Sequence, residues 1–252
     1  MPSPEPVEVV IPLRWDRAQD DAYEAAVEEM RTYLADLAQF ADVTVVDGSQ
    51  APSFDRHAQA WSAFARHVQP DLAVLPPGAE GLNGKVVGAM TGVLRARHEY
   101  VALADDDVRY DEHSLREVVR LLDRGDLVRP ANVFDSWPWH ARWDGSRSLL
   151  NRALAADWPG TFGVRRSTLL RTGGWDPDVM FENLELVRTV QAHGGQVVDA
   201  PSVVVARRPP TALHFRSQRV RQAYDDLAQP WRLASALATL PATLLGLRRR
   251  PG

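Results

Sequence analysis

The stretch NGKVVGAMTGVLRARHEYVALADDDV, residues 83–108, reads as a helix over 85–97, a short buried strand, and then three acids. The run YVALA is apolar enough for a central strand, and it ends abruptly on Asp105, Asp106 and Asp107. Like charges about 4 Å apart repel by roughly 4 kcal/mol at an effective dielectric of 20. Acids fixed to a rigid strand end therefore need a counter-charge. In extended chain Asp105 and Asp107 point one way and Asp106 the other. Two carboxylates on one side suit a hard divalent ion, which takes a few protein oxygens and fills its shell with phosphates and water.

Upstream, strands alternate with helices. Residues 7–11 read as a first strand closed by Pro12, and Tyr23, Val27, Met30, Leu34 and Leu37 fall at helical spacing within 20–41. VTVV, 43–46, is a second strand that stops at a turn in Asp47, Gly48 and Ser49. A helix is expected over 57–67, a third strand in LAVL (72–75), and a loop in PPGAEGLNG. This order implies a mostly parallel sheet covered on both faces, with ligands at the carboxyl ends of its strands. Asp47 and the three acids both lie at such ends. The second half is less regular: a helix over 114–124, a strand over 127–134, and a tryptophan-rich loop in DSWPWHARWDG. A helix over 147–156, a short strand in GTFGVRRS, a loop in TGGWDPDVMFEN and a helix over 184–193 follow.

The 252 residues, 45% of them hydrophobic, suffice for one sizeable core, and a formal charge of −4 gives no global nucleic-acid signature. With no cysteine there is neither a disulfide framework nor a thiolate metal site. The opening MPSPEPVEVV has no basic region and no long apolar run, so a cytoplasmic location is expected, with 1–6 disordered. The far end, WRLASALATLPATLLGLRRR, is apolar and closes on three arginines. Residues 231–247 fall short of the roughly 20 that cross a bilayer as a helix. A helix packed on the domain and a segment lying at the inner membrane face, with Arg248 to Arg250 on anionic lipid, both remain open.

VEVVIPLRW, VTVVDGS and the 83–108 stretch follow the order and spacing of glycosyltransferase family 2 proteins, as do GTFGVRRSTLLRTGGWDPD, FENLELVRTVQAHGGQVV and SQRVRQ. The sequence resembles that family over about 7–224. The resemblance implies a GT-A fold, α/β with a mixed, mostly parallel sheet, whose nucleotide-binding half is 7–110 and acceptor half 111–229. It implies an enzyme moving a sugar from a nucleotide-diphosphate donor to an acceptor hydroxyl with Mg²⁺ or Mn²⁺. Pro12, Asp47, Lys85, Asp105 and Asp106 would face the nucleotide, and Asp105 and Asp107 the metal. His214, Gln218 and Arg221 would border the acceptor and the diphosphate, with Gln222 standing where the family has Trp.

The expected base is where the sequence departs from the family. Relatives carry Glu-Asp at the start of the acidic helix, with the Asp as base; here the pair is Glu182 and Asn183, and an amide cannot take that proton. Glu182 and Glu185, three apart on one helix face, are the candidates to replace it. A lipid or lipid-linked acceptor goes with a membrane-bound tail. Two rivals are a binding module that lost its base at Asn183 and a nucleotidyltransferase. The second would want a glycine-rich loop after the first strand, where IPLRWDRAQDD has no glycine.

Overall fold

The computed structural model describes residues 5–16, 20–74, 83–153, 160–179 and 182–213, then 215, 216, 219, 233, 234, 237, 238 and 241; the side chains of 147 and 150–153 are not described. The elements run β1 (Val7–Leu13), α1 (Asp21–Leu37), β2 (Asp42–Asp47), α2 (Ser53–Trp61), β3 (Arg66–Val68), α3 (Gly84–Arg95), β4 (Tyr100–Ala104) and β5 (Val108–Arg109). There follow α4 (Glu112–Leu121), β6 (Leu127–Phe134), α5 (Trp139–Ala153), β7 (Thr161–Arg165), α6 (Arg166–Thr172), α7 (Glu182–Ala192) and β8 (Val197–Arg207).

The strands form one eight-stranded sheet in the order β3-β2-β1-β4-β7-β6-β8-β5. The first four are parallel, β7 runs antiparallel between β4 and β6, and β6 pairs β8 in parallel. Strand alternation divides the core between two faces. Val9, Ile11, Ala102 and Ala104 meet α1, α2 and α4, while Val10, Val46, Val101 and Leu103 meet α3, α6 and α7. Helix α3 lies tight on β1 because Gly88 and Gly92 leave room. A Cβ on Gly92 would come within 2.2 Å of a Val10 methyl, and one on Gly88 within 2.8 Å of the Pro12 Cβ.

Several expectations need correction. Strand β1 does not close at Pro12 but runs to Leu13, whose carbonyl accepts from Gly48 N–H at 2.9 Å. Leu13 thus faces β2, and Pro12, one residue earlier, turns its missing N–H to the β4 side, where pairing ended at Val10 with Leu103. The edge strand after α2 is Arg66–Val68; LAVL gives a 3₁₀ turn at Leu72–Val74 instead. Trp139 and Trp143 sit on α5, not in a loop, and α6 occupies the start of the stretch after β7. Strand β8 had no counterpart among the expected elements. Its register slips where Pro130 faces Ala200 but Ala131 faces Val204, so Pro201, Ser202 and Val203 form a bulge.

Candidate active site

The face assignment of β4 decides where the acids go. Asp105 continues the face of Val101 and Leu103, towards α3, and Asp106 continues that of Ala102 and Ala104, towards α1. Lys85, in the first turn of α3, accordingly holds Asp105 Oδ1 with Nζ at 2.5 Å. Trp15, on the loop after β1, donates its indole N–H to Asp106 Oδ2 at 2.5 Å. Asp107 turns back to the Asp105 side, where Arg207 Nε donates to its Oδ2 at 2.8 Å. Arg207 Nη2 is 3.7 Å from Asp105 Oδ2, so both carboxylates share one guanidinium.

Backbone pairing fixes this arrangement. Asp105 N–H donates to Gly160 C=O at 2.8 Å, and Arg208 N–H to Asp107 C=O at 2.8 Å, clamping the acidic turn between β7 and β8. Gly160 must be glycine for the approach: a Cβ there would lie 2.7 Å from Asp105 Oδ2. Strand β8 therefore delivers the Arg207 side chain to the acids, while the Arg208 side chain pairs with Glu29. Burial pushes the Asp107 carboxyl up to about 6, helped by Asp105 and Asp106 and opposed by Arg207. Burial would lower the Lys85 ammonium, but Asp105 and Glu182 beside it raise it overall. Arg207 is raised for the same reason by Asp107 and Asp105.

Asp107 Oδ1 is buried and has no hydrogen-bond partner. A buried carboxylate oxygen left unpaired costs about 1–3 kcal/mol or more, and such an atom calls for a cation or donor from outside the chain. The residues present therefore fit a hard divalent ion at Asp105 and Asp107.

Helix α7 brings Glu182 to the same place. Lys85 Nζ lies 3.0 Å from Glu182 Oε1 and 3.4 Å from Asn183 Oδ1. Glu185 is half-buried one turn further on. Pro12, Lys85, Asp105, Gly160, Trp175 and Asn183 line one narrow cleft. Trp175 is buried there, and its indole N–H has no partner.

Asp47 is placed differently from the expectation of a nucleotide-facing acid. It is fully buried, and its Oδ2 accepts from His57 Nδ1 at 2.7 Å and His67 Nε2 at 2.9 Å, while Oδ1 accepts from Ser49 N–H at 2.8 Å. Burial alone would raise its pKa, but these donors hold it well below the usual carboxylate range. The ligand-capable atoms of Asp47, His57 and His67 lie within 4.8 Å of one another, close enough to consider a metal. Donor atoms around a tetrahedral ion at about 2.0–2.1 Å would stand roughly 3.3 Å apart, whereas 2.7 and 2.9 Å are hydrogen-bond lengths. The Tyr23 hydroxyl also meets His57 Nε2 at 2.9 Å. The cluster is a satisfied hydrogen-bond network, unlike Asp107.

His214, Gln218 and Arg221 lie outside the described residues. Their described neighbours pack on α5: Phe215 meets Trp139 edge-on at 5.5 Å, and Arg219 pairs with Asp144 at 2.7 Å.

The sequence model described as Glycosyltransferase like family 2 matches residues 34–225. The chain belongs to this family of glycosyltransferases. No curated protein matches the sequence. Among solved structures it is similar to the mannosyltransferase PcManGT from Pyrobaculum calidifontis in complex with GDP-Man and Mn²⁺, with 22% identity and a TM-score of 0.58. That match covers 94% of this chain and 66% of the mannosyltransferase, so the chain spans just under two thirds of that protein's length. It is also similar to glucosyl-3-phosphoglycerate synthase from Mycobacterium tuberculosis with Mn²⁺ and UDP-Glc, with 16% identity, a TM-score of 0.54, and coverage of 83% and 73%. These likenesses show the GT-A fold.

Proposed function

We propose that the chain transfers a sugar from a nucleotide-diphosphate donor to an acceptor hydroxyl, with inversion and with a divalent cation. The observation that carries the reading is the unpaired, buried Oδ1 of Asp107 beside Asp105 at the carboxyl end of β4. Asp105 and Asp107 would hold Mg²⁺ or Mn²⁺, hard ions that favour oxygen ligands. Bound there, the ion would neutralise charge building on the departing diphosphate. The solved relatives support the choice of ligands, since they hold GDP-Man or UDP-Glc together with Mn²⁺.

The chain's own groups do the rest. Pro12 and Asp105 bound the cleft on the nucleotide side, and Asp106, tied to Trp15, fixes the loop after β1. Asp47 shapes that side indirectly, through Ser49, whose Oγ accepts from Trp15 N–H at 2.8 Å. Glu182 takes the acceptor's proton. Lys85 Nζ at 3.0 Å holds the Glu182 carboxylate in the cleft. Glu185 is the second candidate. A single displacement with a single base inverts the anomeric carbon. Gln218, Arg221 and His214 remain assigned to the acceptor and diphosphate by family resemblance.

The acceptor is proposed to be a lipid or lipid-linked, met at the inner face of the membrane. Trp139, Trp143, Leu213 and Leu237 are 59%, 66%, 80% and 67% exposed, and such side chains suit a lipid interface. No helix among the described residues is long and apolar enough to cross a membrane. Full-length protein is expected to float with anionic liposomes, and a version ending at Gln229 to float less; equal flotation would end this part of the reading.

One observation favours a second reading, a donor-binding module without turnover: Asn183, an amide, lines the cleft at the position where the family resemblance implies a base. Turnover of a panel of nucleotide sugars with Mn²⁺ separates the two. Activity that is lost in Asp107→Ala and falls about 10²–10⁴-fold in Glu182→Gln supports the enzyme. Donor binding with no turnover on any acceptor supports the module, and no donor binding at all defeats both.

A further inference from the structure

We propose that Arg207 is a built-in second cation of the donor site: it holds Asp107 through Oδ2, leaving Oδ1 for the metal, and turns its terminal nitrogens to the donor's diphosphate. This rests on the function proposed above and adds a residue that the family motifs in this sequence did not single out.

The two oxygens of Asp107 are divided. Oδ2 accepts from Arg207 Nε at 2.8 Å, and Oδ1 is buried with no partner. A carboxylate gripped on one oxygen by a charged, planar donor cannot rotate freely, so the other oxygen keeps its aim. Arg207 uses its Nε for this. Its Nη2 is 3.7 Å from Asp105 Oδ2, beyond hydrogen-bond length, and Lys85 already holds the other oxygen of Asp105 at 2.5 Å. Nη2 thus faces the acid pair without being consumed by it.

The position is rigid. Arg207 ends β8 opposite Val108, Arg208 N–H bonds the Asp107 carbonyl, and Gly160 passes close enough that a Cβ would lie 3.4 Å from the Arg207 Cζ. A diphosphate brought to a cation between Asp105 and Asp107 arrives beside this guanidinium. Its fork of donors matches phosphate oxygens, and its charge offsets the acids that would otherwise repel the ligand. Three acids at 105–107 and Glu182 are met here by only Lys85 and Arg207 among the described ion pairs, so the pocket remains receptive to a divalent ion.

The test uses the full chain, Mn²⁺, and the probes UDP and GDP, with UMP and GMP as controls lacking the second phosphate. Mn²⁺ binding is read by electron paramagnetic resonance and nucleotide binding by calorimetry, with thermal melting to check folding. In Arg207→Gln, binding of Mn²⁺ plus UDP or GDP is expected to weaken about 10- to 100-fold, with monophosphate binding within about twofold. Arg207→Lys, which keeps the charge but not the fork, should recover only part of the loss. Diphosphate binding unchanged in Arg207→Gln overturns the proposal, and so does an equal loss for mono- and diphosphates, which would mark a structural role. If the wild type binds neither diphosphate, the proposed function itself falls and takes this inference with it.

Discussion

At the scale of single residues, the site rests on unequal treatment of neighbouring side chains. Asp106 spends its charge on an indole, Asp105 on a lysine, and Asp107 is left with one oxygen to give. Its carboxyl, pushed up to about 6 from an ordinary 3.8 by burial, fixes a pH dependence. Folded protein binds this proton more tightly than the unfolded chain, so this group's contribution to stability falls as pH rises from about 4 to about 6. Metal uptake runs the other way, since the proton must leave first. Mn²⁺ affinity is expected to drop about tenfold per unit below pH 6, read by titration at several pH values; a flat profile from pH 5 to 7 would count against Asp107 as a ligand. Trp175 gives a second residue-scale prediction. Its unpaired indole N–H lines the cleft, so Trp175→Phe should weaken GDP-Man or UDP-Glc binding about tenfold while sparing GDP and UDP. Calorimetry showing equal loss for sugar-bearing and sugar-free nucleotides would contradict a sugar contact.

At the scale of elements, the Asp47 network ties β2 to α2 and β3 directly and reaches α1 through Tyr23. The depressed pKa of Asp47 means that its contribution is fully present above the ordinary carboxylate value of 3.8 and is lost as pH falls from there through the depressed folded value. Breaking a buried charged network by removing one partner costs about 3–5 kcal/mol. Asp47→Asn should therefore lower the urea midpoint by an amount equivalent to about 3 kcal/mol; an unchanged midpoint would mean the network is incidental. Strands β1, β2 and β4 were legible because each centres on a run of apolar residues, which in β2 and β4 ends on an acid. The LAVL run misled because it is apolar, yet the chain had already supplied its edge strand in Arg66–Val68, which carries an arginine and a histidine. Strand β8 was hidden by Pro201, which splits two valine runs and sits in the bulge. Losing β8 meant losing Arg207, whose approach to Asp107 depends on a pairing between residues 100 apart in sequence. Asp47 was legible as a strand-end acid, but its burial depends on His57 and His67, which the expected helix over 57–67 placed on one element.

At the scale of the molecule, one sheet carries both halves. β4 pairs with β7 and β7 with β6, so the acid turn and the α7 carboxylate are positioned by a common frame. The family match over 34–225 includes β4, β6, β7 and α7, with β1 lying before it. The frame's central consequence is a place for a divalent cation and a diphosphate at Asp105 and Asp107. Electron paramagnetic resonance of Mn²⁺ tests it most directly, with UDP or GDP present and wild type compared with Asp107→Asn of matched thermal stability. The account predicts that wild-type protein removes the free-Mn²⁺ signal in the presence of nucleotide and that the variant leaves most of it. Equal Mn²⁺ uptake by the two proteins would contradict it.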